Sequence, residues 1–348
     1  MQAVVFTGYG RTPQLTRVAV PDCPEDGVLV RVGATGVCRS DWHAWRGHDP
    51  VALPHVPGHE LAGVVAQIGP AVTGWEVGDR VTAPFVCGCG RCDFCTTGNA
   101  QVCPDQTQPG FTGPGSFAEL VAIHAADTNL VALPDPVDLV TAASLGCRFA
   151  TAFRALTGHA PVHPGDWVAV HGCGGVGLSA VMIAAALGAR VVAVDVAEPA
   201  LRRARELGAE VVVDAAREDP VAAVRDVTGG GAHLSLDALG SPATAGSSVR
   251  CLRPRGAHVQ VGLLLGEHST PPLPIDLVVA RELSVHGSHG MAARDYPAMM
   301  DLVASGALRP DLLVAEVIGL EDAGAALAAM DHPASAGGMT VVRVDSPG

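Results

Sequence analysis

The sequence predicts an α/β chain of two domains, a β-rich domain into which a doubly wound parallel-sheet domain is inserted. Three observations predict it. Up to about residue 130 the chain runs as short strands between Gly and Pro punctuation. From Gly165 strands alternate with Ala-rich helical stretches. After Ser288 it closes on a strand, MTVVRV at 339–344, in the style of the first part. At 348 residues and 48% hydrophobic, the chain has material for two cores.

In the first part, VLVRVGATGVC (28–38), ELAGVVAQIG (60–69) and SFAELVAI (116–123) read as strands, and the apolar stretch 137–157 reads as one helix. In the second, strands are expected at WVAVHG, RVVAVDV, EVVVDA, HLSLDALG, AHVQVGLL and LSVHGS, with helices between most of them. Two helical stretches are expected between Ser288 and the last strand. The boundaries follow as 1–148 and 288–348 for the outer domain and 149–287 for the inserted one.

A formal charge of −13 leaves no basic footprint for nucleic acid. The longest apolar run, near Val181 to Leu187, is too short to span a membrane, and MQAVVFTGYG lacks a secretory pattern. A cytoplasmic protein without a membrane partner is expected. Clustered cysteines in that compartment more often hold metal than form disulfides.

HGCGGVGLSAV contains Gly172-x-Gly174-x-x-Gly177 between a predicted strand and a predicted helix, the context a dinucleotide-binding turn requires. Glycines there admit a pyrophosphate to the backbone, and the helix N-terminus supplies N–H donors. Asp195 closes the next strand, where an acid accepts from a ribose 2′-hydroxyl. With Glu198 nearby it favours NAD(H) over its phosphorylated form, a preference that Arg202 and Arg203 soften.

Cys89, Cys92, Cys95 and Cys103 fall in one loop at spacings of three, three and eight, suited to wrapping a tetrahedral thiolate site with no vacancy. Cys87 is a neighbouring spare. Three further motifs, GVCRSDWHAW (36–45), PGHELAGVV (57–65) and SLGCRFATAF (144–153), carry Cys38, His59 and Cys147. Two cysteines and one histidine make a three-ligand set that leaves a fourth position for substrate, a pattern for which alcohol dehydrogenase is the general example.

Taken together, these motifs resemble the zinc-dependent alcohol dehydrogenases of the medium-chain dehydrogenase/reductase superfamily over almost the whole length. The resemblance implies a GroES-like catalytic domain, a Rossmann domain and an active site in the cleft between them. It implies two zinc ions per chain, a catalytic one on Cys38, His59 and Cys147 and a structural one on Cys89, Cys92, Cys95 and Cys103. Glu60 would be an occasional ligand and Asp41 the carboxylate that orients His59. Ser40 and His43 would form the proton relay. Gly172, Gly174, Gly175, Val176, Gly177, Asp195, Arg39, Thr151 and Leu263 would serve the NAD(H) cofactor, with Val176 and Thr151 against the nicotinamide and Arg39 on phosphate. Phe85, Trp42 and Leu263 would line the substrate pocket. Arg294 lies slightly later than the position of a second phosphate-binding arginine. His48 and His55 read as structural.

The implied reaction is hydride transfer between NAD(H) and a small alcohol, aldehyde or ketone, with a homo-oligomer, a tetramer rather than a dimer, as the assembly. On the same scaffold, a polyol or amino-alcohol dehydrogenase would show more acidic and amide groups than Phe85 and Leu263 offer. Zinc-free quinone reductases lack the three ligands present here. A zinc-ribbon binding module runs against both the charge and the cofactor turn.

Overall fold

The computed structural model describes residues 1–332 and 338–344. The chain forms two compact units, one built on Met1–Ala150 and resuming at Gly290, the other on Thr151–His289.

The first unit is organised around strand Val28–Val37. Residues 28–31 pair antiparallel with Leu120–Ile123, and residues 34–37 pair with Met339–Arg343. The other edge pairs antiparallel with Glu60–Ile68. Arg80–Thr82 and Val131–Ala132 extend the sheet on one side, and Val314–Gly319 ends it on the other. Hemmed in on both edges, Val28–Val37 is buried at every position but Arg31, which is why it reads as a continuous apolar run. Phe6, Trp45, Leu61, Phe117 and Ile123 fill the core beside it.

Two local expectations are corrected. Between Ser288 and the last strand lie the helices Tyr296–Ala304 and Ala323–Ala329, but also strand Val314–Gly319. It is an edge strand with exposed or half-buried side chains, so its sequence lacks the alternation that a buried face imposes. The expected single helix over 137–157 is four segments. Leu139–Ala143 and Ala150–Arg154 are α-helical, while Leu145–Phe149 and Ala155–His159 are wider π turns. Such turns recur at functional sites because the extra residue re-aims side chains; the first of them carries Cys147.

The second unit is a six-stranded, wholly parallel sheet. Its spatial order is Val211–Asp214, Arg190–Asp195, Trp167–His171, Ala232–Asp237, Leu252–Gln260 and Ser284–Gly287. The chain therefore runs outward from Trp167–His171 in one direction and then restarts on its other side. Ligands of doubly wound sheets bind at that reversal, beyond the carboxyl ends of the strands. Helix Gly175–Ala186 is apolar all round and buried from Gly177 to Ala184, which lets it lie flat on the sheet.

Candidate active site and metal centres

In the antiparallel pair, Gly36 faces Glu60. The residues just past the end of one strand therefore stand beside those just before the start of the other. This brings Cys38 and His59 together although 20 residues separate them in the sequence. Cys147 reaches them from the π turn, whose Gly146 carbonyl accepts from Phe85 N at 3.3 Å and from Tyr296 Oη at 3.2 Å. Ligand atoms of Cys38, His59, Glu60 and Cys147 all lie within 4.8 Å of one another.

His59 is fully buried. Its Nδ1 donates to Asp41 Oδ1 at 2.9 Å, since an ionised carboxylate only accepts. Asp41 is held in turn by Gly58 N at 2.9 Å and Cys38 N at 3.1 Å. Among the described residues His59 Nε2 is buried without a partner of ordinary hydrogen-bond geometry, although Cys38 lies near enough to influence its charge. An orphaned lone pair in a protein interior costs free energy unless something meets it, and a cation beside two sulfurs would do so.

The electrostatics fit the same group. Burial opposes a charge on His59, but Asp41 and Cys38 outweigh it and hold the imidazole pKa well above its ordinary value. The hydrogen bond from Cys147 is the largest influence holding the Cys38 thiol well below the usual range, while that bond and burial push Cys147 well above it. A divalent cation would compete with protons for these same sulfur and nitrogen atoms.

Glu60 is buried with these ligands but turned toward Arg148. The guanidinium Nε donates to Glu60 Oε1 at 3.0 Å and Nη2 donates to Oε2, while Arg148 N also donates to Oε1 at 3.2 Å. Burial raises the Glu60 pKa, and the Arg148 charge opposes that rise. Sequence reasoning missed Arg148. The signal was present as a single charge beside Cys147 in an apolar stretch, but the partner lies 88 residues away. It also missed Phe111. The rings of Phe85 and Phe111 flank the His59 imidazole at 6.1 and 5.2 Å, and no local pattern marks Phe111.

Helix Arg39–Arg46 begins at Cys38 and carries the relay candidates. Ser40 Oγ lies 3.9 Å from Cys38 Sγ. His43, three residues on, shares that helix face. Its pKa is lowered, first by burial and then by Arg39 and His48. Arg39 stacks on the Trp42 ring at 3.6 Å and donates to the Met330 carbonyl. Trp42 Nε1 donates to Asp331 Oδ1 at 2.7 Å. His55 is buried against the Gly110 carbonyl at 2.7 Å.

The four-cysteine loop folds into a second cluster. The sulfurs of Cys89, Cys92, Cys95 and Cys103 lie within 4.8 Å of one another. Cys92 Sγ is 3.5 Å from Cys95 Sγ and 3.6 Å from Cys103 Sγ. Tetrahedral zinc with Zn–S bonds of about 2.3 Å places its sulfurs about 3.8 Å apart, whereas a disulfide needs about 2.0 Å. The N–H groups of Arg91 and Cys92 aim at Cys89 and lower its pKa to about 6, while burial pushes Cys95 up to about 12. Four clustered thiols cannot all ionise unaided, and a dication removes the conflict. Arg294 lies against this loop at Gly98, within the first unit.

In the second unit, Gly172 follows the first strand, and Gly174 N-caps helix Gly175–Ala186 without a side chain to cap its first N–H groups. A Cβ on Gly177 would strike the Gly172 carbonyl, while one on Gly174 would point into open space. The turn is thus tight on one side and vacant on the other, as a pyrophosphate site requires. Asp195 accepts from Cys173 N at 2.6 Å, Val196 N at 2.7 Å and Ala197 N at 2.9 Å. Its half-exposed carboxylate is fixed at the rim of that turn. Val176 lies in the first helical turn, Thr151 is buried, and Leu263 is exposed on the loop after Leu252–Gln260. That loop is pinned by Gln260 Nε2, which donates to Asp237 Oδ2 at 3.0 Å and to the Gly262 carbonyl at 2.8 Å.

Residues 24–135 match the alcohol dehydrogenase GroES-like domain, and residues 175–305 match the zinc-binding dehydrogenase domain. An alcohol dehydrogenase of Geobacillus stearothermophilus is 34% identical over 320 residues, 91% of this chain and 92% of the relative. Among solved structures, alcohol dehydrogenase TADH from Thermus sp. ATN1 superposes with a TM-score of 0.92 at 32% identity, covering 99% of this chain and 100% of the other. Benzyl alcohol dehydrogenase from Acinetobacter calcoaceticus gives 0.91 at 28% identity, covering 99% of each. The chain belongs to the zinc-dependent alcohol dehydrogenase family of the medium-chain dehydrogenase/reductase superfamily.

Proposed function

We propose that this chain is an NAD(H)-dependent alcohol dehydrogenase with two zinc ions, one on Cys38, His59 and Cys147 and one on Cys89, Cys92, Cys95 and Cys103. The observation that carries the reading is the buried His59 Nε2, without a hydrogen-bond partner among the described residues and clustered with Cys38 and Cys147. When bound, the catalytic zinc supplies Lewis acidity toward the substrate oxygen, and the nicotinamide exchanges hydride with the substrate carbon.

The protein's own part is positional. Asp41 fixes the imidazole tautomer and its direction. Arg148 holds Glu60 back from the ligand set through a bidentate pair, so Glu60 stands in reserve as an exchange ligand. Ser40 and His43 pass the proton between the substrate oxygen and solvent. Phe85 and Phe111 keep water from the imidazole and give an apolar wall, which favours a simple alcohol, aldehyde or ketone over a polyol. Trp42 and Leu263 complete the substrate-facing set. Gly172, Gly174, Gly175 and Gly177 receive the pyrophosphate, Val176 and Thr151 press on the nicotinamide, and Arg39 supplies charge to a phosphate. Asp195 accepts from the ribose hydroxyl and repels a 2′-phosphate.

A homotetramer in the cytoplasm completes the proposal. Among the described residues no helix is long and apolar enough to cross a membrane.

A screen of alcohols, diols and ketones with NAD(H) and NADP(H) tests the proposal. Turnover is expected to be best with monofunctional, apolar substrates and NAD(H). In the Asp195→Gly variant, the NADH-to-NADPH ratio of kcat/KM should fall by about tenfold or more, the loss of one charged hydrogen bond of about 1.5–3 kcal/mol. An unchanged ratio removes Asp195 from the ribose role, and no turnover with either cofactor removes the activity.

A further inference from the structure

His48 was expected to be structural, but its surroundings suit a different task, one that rests on His43 being a member of the proposed proton relay. Helix Arg39–Arg46 ends on Gly47, whose φ of 76° is left-handed, and the chain reverses there. His48 N then bonds the His43 carbonyl at 2.9 Å, folding His48 back over the helix end. The two imidazoles meet Nδ1 to Nδ1 at 3.2 Å. The Trp42 ring stands edge-on to both, with centroids at 5.0 and 5.2 Å, and braces the pair.

A contact between two Nδ1 atoms forces complementary tautomers, one ring carrying the hydrogen and the other offering the lone pair. The pair also spans a gradient of exposure, from half-buried His43 to exposed His48. The charged groups around it are unevenly placed. Arg39 stacks on the Trp42 ring, Asp331 holds the indole N–H, Cys38 stands at the start of the helix, and Asp49 follows His48. Burial and Arg39 disfavour a lasting charge on His43. Exposed His48, in hydrogen-bond contact with His43, gives a proton on that ring a path to water.

We infer that His48 is the outer proton acceptor of the relay. In alcohol oxidation, His43 takes a proton at Nε2 and releases the one on Nδ1 to His48 Nδ1, and His48 gives its Nε2 proton to water. Carbonyl reduction runs the same hops backwards, and only N–H and O–H bonds change. Direct contact with His43 at hydrogen-bond distance makes His48 the nearest side-chain exit for that proton.

Rates of alcohol oxidation in weak buffer, with and without added imidazole, test this on the zinc- and NAD-loaded enzyme. In His48→Gln, kcat below neutral pH should fall about tenfold, the low end of what a positioned acid–base group contributes, and imidazole should restore it. His48→Asn guards against a folding defect and should behave alike. His43→Gln should also lose rate. NMR titration of the ring nitrogens adds a readout independent of turnover, in which His43 should titrate higher once His48 is removed. If His43→Gln slows the enzyme but both His48 variants run at the wild-type rate without imidazole, His48 is not the exit and the relay through His43 stands. If neither substitution changes rate or pH profile, the relay itself fails, and the role of His48 with it.

Discussion

Replacing Cys38 by alanine should abolish turnover while removing only one of two zinc ions. The loss in kcat/KM is expected to be at least about a thousandfold, because Lewis-acid stabilisation is worth several kcal/mol and each 1.36 kcal/mol is a factor of ten. The fold should survive. Cys38 follows a strand pinned on both edges, and the surrounding core of Val28, Val30, Leu61 and Phe117 does not depend on the sulfur. Metal analysis, circular dichroism and steady-state kinetics on the same preparation check all three parts. A variant that keeps both zinc ions and loses rate only modestly would take Cys38 out of the metal site.

Cys92→Ala should show the opposite signature. Cys92 is in contact with both Cys95 and Cys103, so its loss opens a cage rather than an active site. Structural zinc contributes about 10–16 kcal/mol of folding free energy in small peptides. Losing even about 4 kcal/mol lowers Tm by roughly 10 °C in a domain of this size. Freshly prepared Cys92→Ala at low temperature should retain much of its kcat, and a thermal melt should show the deficit. Equal behaviour of the two variants would erase the distinction between a catalytic and a structural site.

The contrast between these variants follows from what could be read in the sequence. Rare residue types made both clusters legible, since four cysteines in one loop and a Cys, His, Cys set in glycine-flanked motifs have few other readings. The central strands Trp167–His171 and Arg190–Asp195 were legible because burial on both faces writes a largely apolar run, whereas the edge strand Ser284–Gly287 is mostly exposed. What escaped notice depends on contacts between distant segments. Arg148 has meaning only beside Glu60, and Phe111 only beside His59. Val314–Gly319 is a strand because Met339–Arg343 pairs with it, although its own side chains face solvent. Arg294 belongs to the four-cysteine loop because the chain folds back onto Gly98, a placement that no count of residues from the last strand conveys. His48 escaped because its partner is set by the left-handed turn at Gly47, which a sequence motif does not announce.

The most direct measurement is anomalous diffraction at the zinc absorption edge from crystals of the purified protein. Two peaks per chain are expected. One should lie within bonding distance of Cys89, Cys92, Cys95 and Cys103, and the other should touch Cys38 Sγ, Cys147 Sγ and His59 Nε2. Full signal at the four-cysteine loop with no peak at His59 Nε2, in protein that turns over alcohol, would contradict the account.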